Sequence, residues 1–115
     1  MKTLKNCEFG GERPLYCEHG LELEAVTVHA GESAIKEGSD IRARGCRFEG
    51  KYPFWECSDV SIEDCHFTEG ARAAIWYSRR LQMRNCLVEA PKMFREMQSL
   101  SLERIRLPHA HETLW

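Results

Sequence analysis

The chain has 115 residues, 43% of them hydrophobic and 30% charged, a length that holds one domain (residues 1–115) and a balance that fits a soluble globular protein rather than a disordered or membrane one. Sixteen Lys and Arg against eighteen Asp and Glu leave a net charge of −2 with no basic run, so neither a phosphate backbone nor an anionic lipid surface finds electrostatic attraction here. The opening MKTLKNCEFGGERPLY carries an acid at Glu8 and no secretory apolar core, and no apolar segment reaches the length of about 18 residues that spans a bilayer; the expectation is a cytoplasmic protein with no nucleic-acid or membrane partner.

Six related segments follow one another. KTLKNCEF starts at Lys2, LELEAVTV at Leu21, IRARGCRF at Ile41, VSIEDCHF at Val60, LQMRNCLV at Leu81 and LSLERIRL at Leu100, a repeat of 19–21 residues. Their third residues are Leu4, Leu23, Ala43, Ile62, Met83 and Leu102; their sixth are Cys7, Val26, Cys46, Cys65, Cys86 and Ile105; their eighth are Phe9, Val28, Phe48, Phe67, Val88 and Leu107. These columns are apolar and the residues between them mostly polar, the alternation of strands whose successive side chains face opposite ways. The fifth residue reads Asn6, Ala25, Gly45, Asp64, Asn85 and Arg104; Asn, Asp and Gly tolerate a left-handed backbone, which places a corner between two strands there.

A closing block ends each copy: PLYC from Pro14, AIKE from Ala34, PFWE from Pro53, AIWY from Ala74, MFRE from Met93 and TLW from Thr113. Its apolar column is Leu15, Ile35, Phe54, Ile75, Phe94 and Leu114, the expected third strand. Gly10-Gly11, Ala30-Gly31, Glu49-Gly50 and Glu69-Gly70 predict sharp loops between the second and third strands. A coil of this length cannot bury its inner face alone, whereas stacked coils turn each column into a shared core. The fold class expected is therefore all-β: a right-handed parallel β-helix, or solenoid, of about six short coils.

With the copies aligned, the strings GERPLY, GESAIKE (Gly31 to Glu37), KYPFWE (Lys51 to Glu56), ARAAIWYS (Ala71 to Ser78) and HETLW resemble an uncharacterised bacterial family, the domain of unknown function three-seven-three-seven, placed with the pectate-lyase-like right-handed parallel β-helices. The resemblance implies that fold and no established activity. It also implies a longer solenoid, of which this chain resembles the N-terminal part, and so an unpaired coil edge.

Six cysteines in a short chain suggest a disulfide scaffold only in a secretory context. Cys7, Cys46, Cys65 and Cys86 share one inward column, where Cys acts as a small apolar side chain, and all six are expected to be reduced. Although stacking would bring their Cα atoms to about 4.8 Å, parallel Cβ vectors oppose bridging. The short pairs Cys17/His19 and His109/His111 lack a second pair at ligand spacing; no metal and no cofactor is expected.

Beside the third column an outward one reads Tyr16, Lys36, Trp55, Trp76, Arg95 and Trp115, flanked by Glu12, Glu32, Lys51 and Arg72. Three tryptophans on an outer ladder exceed what a solvated face requires. Function is read as unknown, with a non-catalytic binding or scaffold β-helix as first expectation: the ladder either stacks from coil to coil for stability through offset and cation–π contacts or takes a carbohydrate or protein ligand through Tyr16, Lys36, Trp55, Trp76, Arg95, Glu32, Lys51 and Arg72. The alternative is a carbohydrate-active enzyme of polysaccharide-lyase or glycoside-hydrolase type using the same face, with Glu12 and Glu32 about 5 Å apart, near a retaining carboxylate pair, and Lys36 or Arg95 as a base. Asp40 and Asp59 share a column but make a poor calcium cage. The edge at Leu100–Leu107 and Thr113–Trp115, with no proline or lysine to blunt it, predicts self-association through the C-terminal coil, in the simplest form a dimer of two such ends.

Overall fold

The computed structural model describes residues 2–12, 19–32, 35, 37–51, 53–72, 75–92, 94 and 96–109. These form eleven strands: β1 (Lys2–Lys5), β2 (Glu8–Glu12), β3 (His19–Glu24), β4 (Thr27–Glu32), β5 (Ser39–Arg44), β6 (Arg47–Phe48), β7 (Ser58–Glu63), β8 (His66–Phe67), β9 (Arg79–Arg84), β10 (Leu87–Val88) and β11 (Gln98–Glu103). Odd-numbered strands stack in chain order as one sheet and even-numbered strands as a second. Every pairing is parallel. There is no helix among the described residues, and the body measures 35 × 26 × 22 Å.

The repeat columns are the rungs. Leu4, Leu23, Ala43, Ile62, Met83 and Leu102 are successive partners in the first sheet, and Val28, Phe48, Phe67 and Val88 in the second. The core that the sheets enclose with the third side of the coils is largely apolar, with Leu21, Leu23, Ile41, Phe48, Phe54, Phe67, Ile75 and Leu81 all at 0% exposure. Phe48 and Phe67 stack with centroids 5.0 Å apart, and Phe54 meets Phe48 edge-on at 5.1 Å, arrangements each worth about 0.5–1.5 kcal/mol beyond the area they bury.

The corner column behaves as its residue types imply. Asn6, Ala25, Gly45, Asp64, Asn85 and Arg104 all have positive φ, between 49° and 63°, and the corner N–H of Asn6, Ala25, Gly45, Asp64 and Asn85 donates to the carbonyl of the preceding position one coil on, at 2.9–3.0 Å. This hydrogen bond holds even Ala25 in the left-handed turn. A second such column opens the first sheet at Gly20, Asp40, Asp59, Arg80 and Ser99.

Three expectations need correction. Among the described residues the third side is not a strand: φ is positive at Phe54, Glu56, Ile75, Tyr77, Phe94 and Glu96, which breaks the pleat, and isolated hydrogen bonds such as Trp55 N to Ile35 O (3.0 Å) and Ile75 N to Pro53 O (2.9 Å) join the coils instead. Ser78, fully buried, supports this side by accepting from Cys57 N–H and donating to the Phe54 carbonyl. The coil count is lower than six. Those opening at β3, β5, β7 and β9 carry both sheets and described parts of the third side, whereas the described part of the last copy forms β11 and one isolated bridge, Leu87 to Arg106.

Nor are the glycine pairs uniform loops. Gly10-Gly11 and Gly31 lie inside β2 and β4, which run on past a register shift. Gly70 does lie in a turn, but its role is close approach: a Cβ there would stand 2.3 Å from the Glu49 carbonyl oxygen of the coil before.

Candidate binding site

The left-handed backbone at Phe54 and Ile75 sends these side chains inward, at 0% exposure, and leaves the next residue of each coil, Trp55 and Trp76, half-buried at the surface. Trp55 and Trp76 sit one coil apart with centroids 5.2 Å apart and planes at 30°. Tyr77 closes the cluster edge-on, 5.4 Å from Trp55 and 6.2 Å from Trp76. Hydrogen bonds hold both indoles: Trp55 Nε1 donates to Glu56 Oε1 at 3.2 Å, and Trp76 Nε1 donates to the Lys92 carbonyl at 2.6 Å. Beside the cluster Glu56, Tyr77 and Arg79 line an open cavity of about 400 Å³.

Of the other expected site residues, Lys51 and Arg72 are exposed on the same side of the coils. Tyr16, Lys36, Arg95 and Trp115 lie outside the described residues. Glu12 and Glu32 are direct backbone partners on neighbouring rungs, as the alignment of copies requires. Asp59 accepts from both Nε and Nη2 of Arg80, at 2.6 and 2.9 Å, and this bidentate guanidinium holds its carboxyl below the usual range; the Asp40/Asp59 column therefore continues into a cation. No group of three or more His, Cys, Asp or Glu among the described residues could hold a metal ion.

The inward column at Phe94 is only half-buried, unlike Ile35, Phe54 and Ile75. Cys46, Cys57, Cys65 and Cys86 are buried free thiols and Cys7 is a partly buried one; Cys17 lies outside the described residues. Each buried Sγ faces backbone carbonyls, as Cys65 does at 3.3 Å from Glu63 O. Burial pushes Cys57 up to about 12 and raises Cys86, while the adjacent Cys46 thiol together with burial raises Cys65. Cys46, by contrast, is lowered to about 7, chiefly by its hydrogen bond with Cys65, and all four buried thiols pack in the apolar core.

A polar network on the second sheet has no counterpart in the expectations. Glu8 and Glu49 accept from the two ring nitrogens of His29, Nε2 and Nδ1 respectively, the latter at 3.0 Å. Arg47 donates to Glu49 at 2.7 Å and, through its other arm, to His66 Nδ1 at 3.0 Å, while His66 Nε2 reaches Glu89 at 2.5 Å. Because a guanidinium can only donate, His66 Nδ1 is the acceptor and Nε2 carries the proton. Glu8 and Glu49 raise the pKa of His29; Arg47, then His29, lower that of Glu49. The network draws on two adjacent outward columns, so reading single columns does not reveal it. On the first sheet Glu22, Glu24, Arg42, Arg44, Glu63 and Gln82 help line a groove of about 530 Å³ with both signs of charge.

Stacked parallel coils with two ladder sheets around an apolar interior define a β-solenoid. The chain belongs to a family described as protein of unknown function (DUF3737), which it matches over residues 2–115. No curated protein matches it.

Proposed function

We propose that the protein is a non-catalytic binding module whose ligand docks on the third side of the coils, at the Trp55, Trp76 and Tyr77 cluster. The observation that carries this reading is the cluster itself: three aromatic rings within 6.2 Å of one another, partly exposed on the third side, with exposed Arg79 lining a cavity together with Tyr77 and exposed Lys51 and Arg72 three residues before the inward Phe54 and Ile75. Aromatic faces and edges of this kind suit the C–H face of a pyranose ring or an apolar side chain of a partner protein, with the cations fixing orientation. The chemistry of a lyase or hydrolase has less support. Asp59 is committed to Arg80, and Glu49 and Glu89 to neighbouring cations and imidazoles. Four buried free thiols support assignment to the reducing cytoplasm.

A thermal-shift panel of neutral and acidic oligosaccharides, read beside a glycan array, tests this. A saccharide that stabilises the protein, and loses most of that effect in Trp55→Ala and in Arg79→Ala, is the expected result. Turnover of a bound saccharide, or stabilisation untouched by both substitutions, would overturn it.

A further inference from the structure

Among the described residues the two outer rungs carry complementary charge. In the first sheet the outward residues Lys5, Glu24, Arg44, Glu63, Arg84 and Glu103 are partners rung by rung, and their sign alternates without a break. Lys5 meets Glu24 at 3.7 Å, and Arg84 meets Glu63 at 3.9 Å and Glu103 at 4.0 Å. The column therefore presents a cation at the β1 edge and an anion at the β11 edge. The second sheet runs the opposite way. Its outward column passes from Glu8 through Thr27, Arg47, His66 and Leu87 to Arg106, with an anion at the β2 edge and a cation at the far edge.

The apolar columns end unevenly too. Leu102 is 41% exposed, while its rung partners Leu23, Ala43, Ile62 and Met83 are at 2% or less; Leu4, at the other end of the column, is half-buried. Among the described residues β11 pairs only with β9, and β1 only with β3. Strand edges of this kind are templates for further pairing.

We propose that the protein stacks head-to-tail on a second copy of itself, the β1/β2 edge of one copy seated on the β11 edge of the next. The parallel register then continues across the junction. Leu4 covers Leu102, Lys5 follows Glu103 in the alternating column, and Glu8 follows Arg106 in the other. Arg104, 3.9 Å from Glu103, stands one position along and faces the corner Asn6. A twofold pairing of two β11 ends covers Leu102 but reverses strand direction, so it continues neither charge column. Because the two edges differ, the contact is heterologous and open-ended, and assembly grows beyond a dimer.

Sedimentation velocity of the 115-residue chain over a concentration series, at low and high salt, with circular dichroism of each variant, tests this. Species larger than a dimer should grow with concentration and weaken at high salt. Lys5→Glu and Glu103→Lys should each remain folded and lose the assembly at least tenfold in concentration, because each places like charges across the junction. Mixing the two variants should restore it, since each then offers the edge the other lacks. A dimer that does not grow, a monomer throughout, or single variants that assemble like the parent would overturn the proposal.

Discussion

Met83 and Leu102 hold the same position one rung apart, yet the first is 1% exposed and the second 41%. Their strands are equally long and pair in one register; what differs is the number of neighbours. Among the described residues β9 lies between β7 and β11, whereas β11 has β9 on one side. Burial in this fold is thus a nearest-neighbour property, as expected when each repeat contacts only the next. A residue's cost of removal should follow its distance from an edge more than its type.

The sharpest break of that comparison is core truncation. Phe67→Ala removes a ring stacked at 5.0 Å on Phe48 and should cost about 3–5 kcal/mol in denaturant unfolding, while Leu102→Ala should cost less than about 1 kcal/mol. Equal losses would mean that the last rung is covered. Ile75→Ala should fall near about 2 kcal/mol, the low end for its type, because a β-branched residue at φ 62° is strained and alanine relieves part of that strain. Trp76→Ala, on the outer side of the same coil, should cost about 0.5–1.5 kcal/mol; a loss above that of Ile75→Ala would make the indole part of the core.

Thiol reactivity sharpens the same contrast without mutation. Cys7 and Cys65 occupy one column, the first in the edge coil and partly buried, the second enclosed. Among the described cysteines, Cys7 should react first with a thiol reagent in the folded protein, and Cys46, Cys57, Cys65 and Cys86 only on unfolding. Prompt labelling of Cys65 would show the middle coils opening as readily as the end.

The smallest effect concerns protons. His29 bridges carboxylates from the first and third copies, and its pKa lies above the ordinary 6.5. Its stabilising contribution is complete below 6.5 and is lost as pH rises through the raised value. Proton NMR should place its midpoint above 6.5, and Glu8→Gln should lower it; an unchanged midpoint would remove Glu8 as the cause.

Much of this architecture was legible in the sequence. Period-two columns set the register of both sheets, and Asn6, Gly45, Asp64 and Asn85 marked the corner. The third side was not legible, since Phe54 and Ile75 are types that ordinarily avoid positive φ and nothing local marks them as left-handed. The turn at Gly70 was legible, but its constraint, the carbonyl of Glu49 twenty-one residues earlier, was not. Of the outward ladder, the Trp55/Trp76 stack follows from the spacing of copies. The His29 and His66 network does not, because its side chains cross between columns.

Native-state hydrogen exchange, at a dilution where sedimentation shows the monomer, tests the central claim most directly. Nearest-neighbour burial predicts that amides of β7 are the slowest, that those of β5 and β9 follow, and that β11 exchanges fastest of the first-sheet strands from β5 onward. Equal protection of β11 and β7 in the monomer would contradict it.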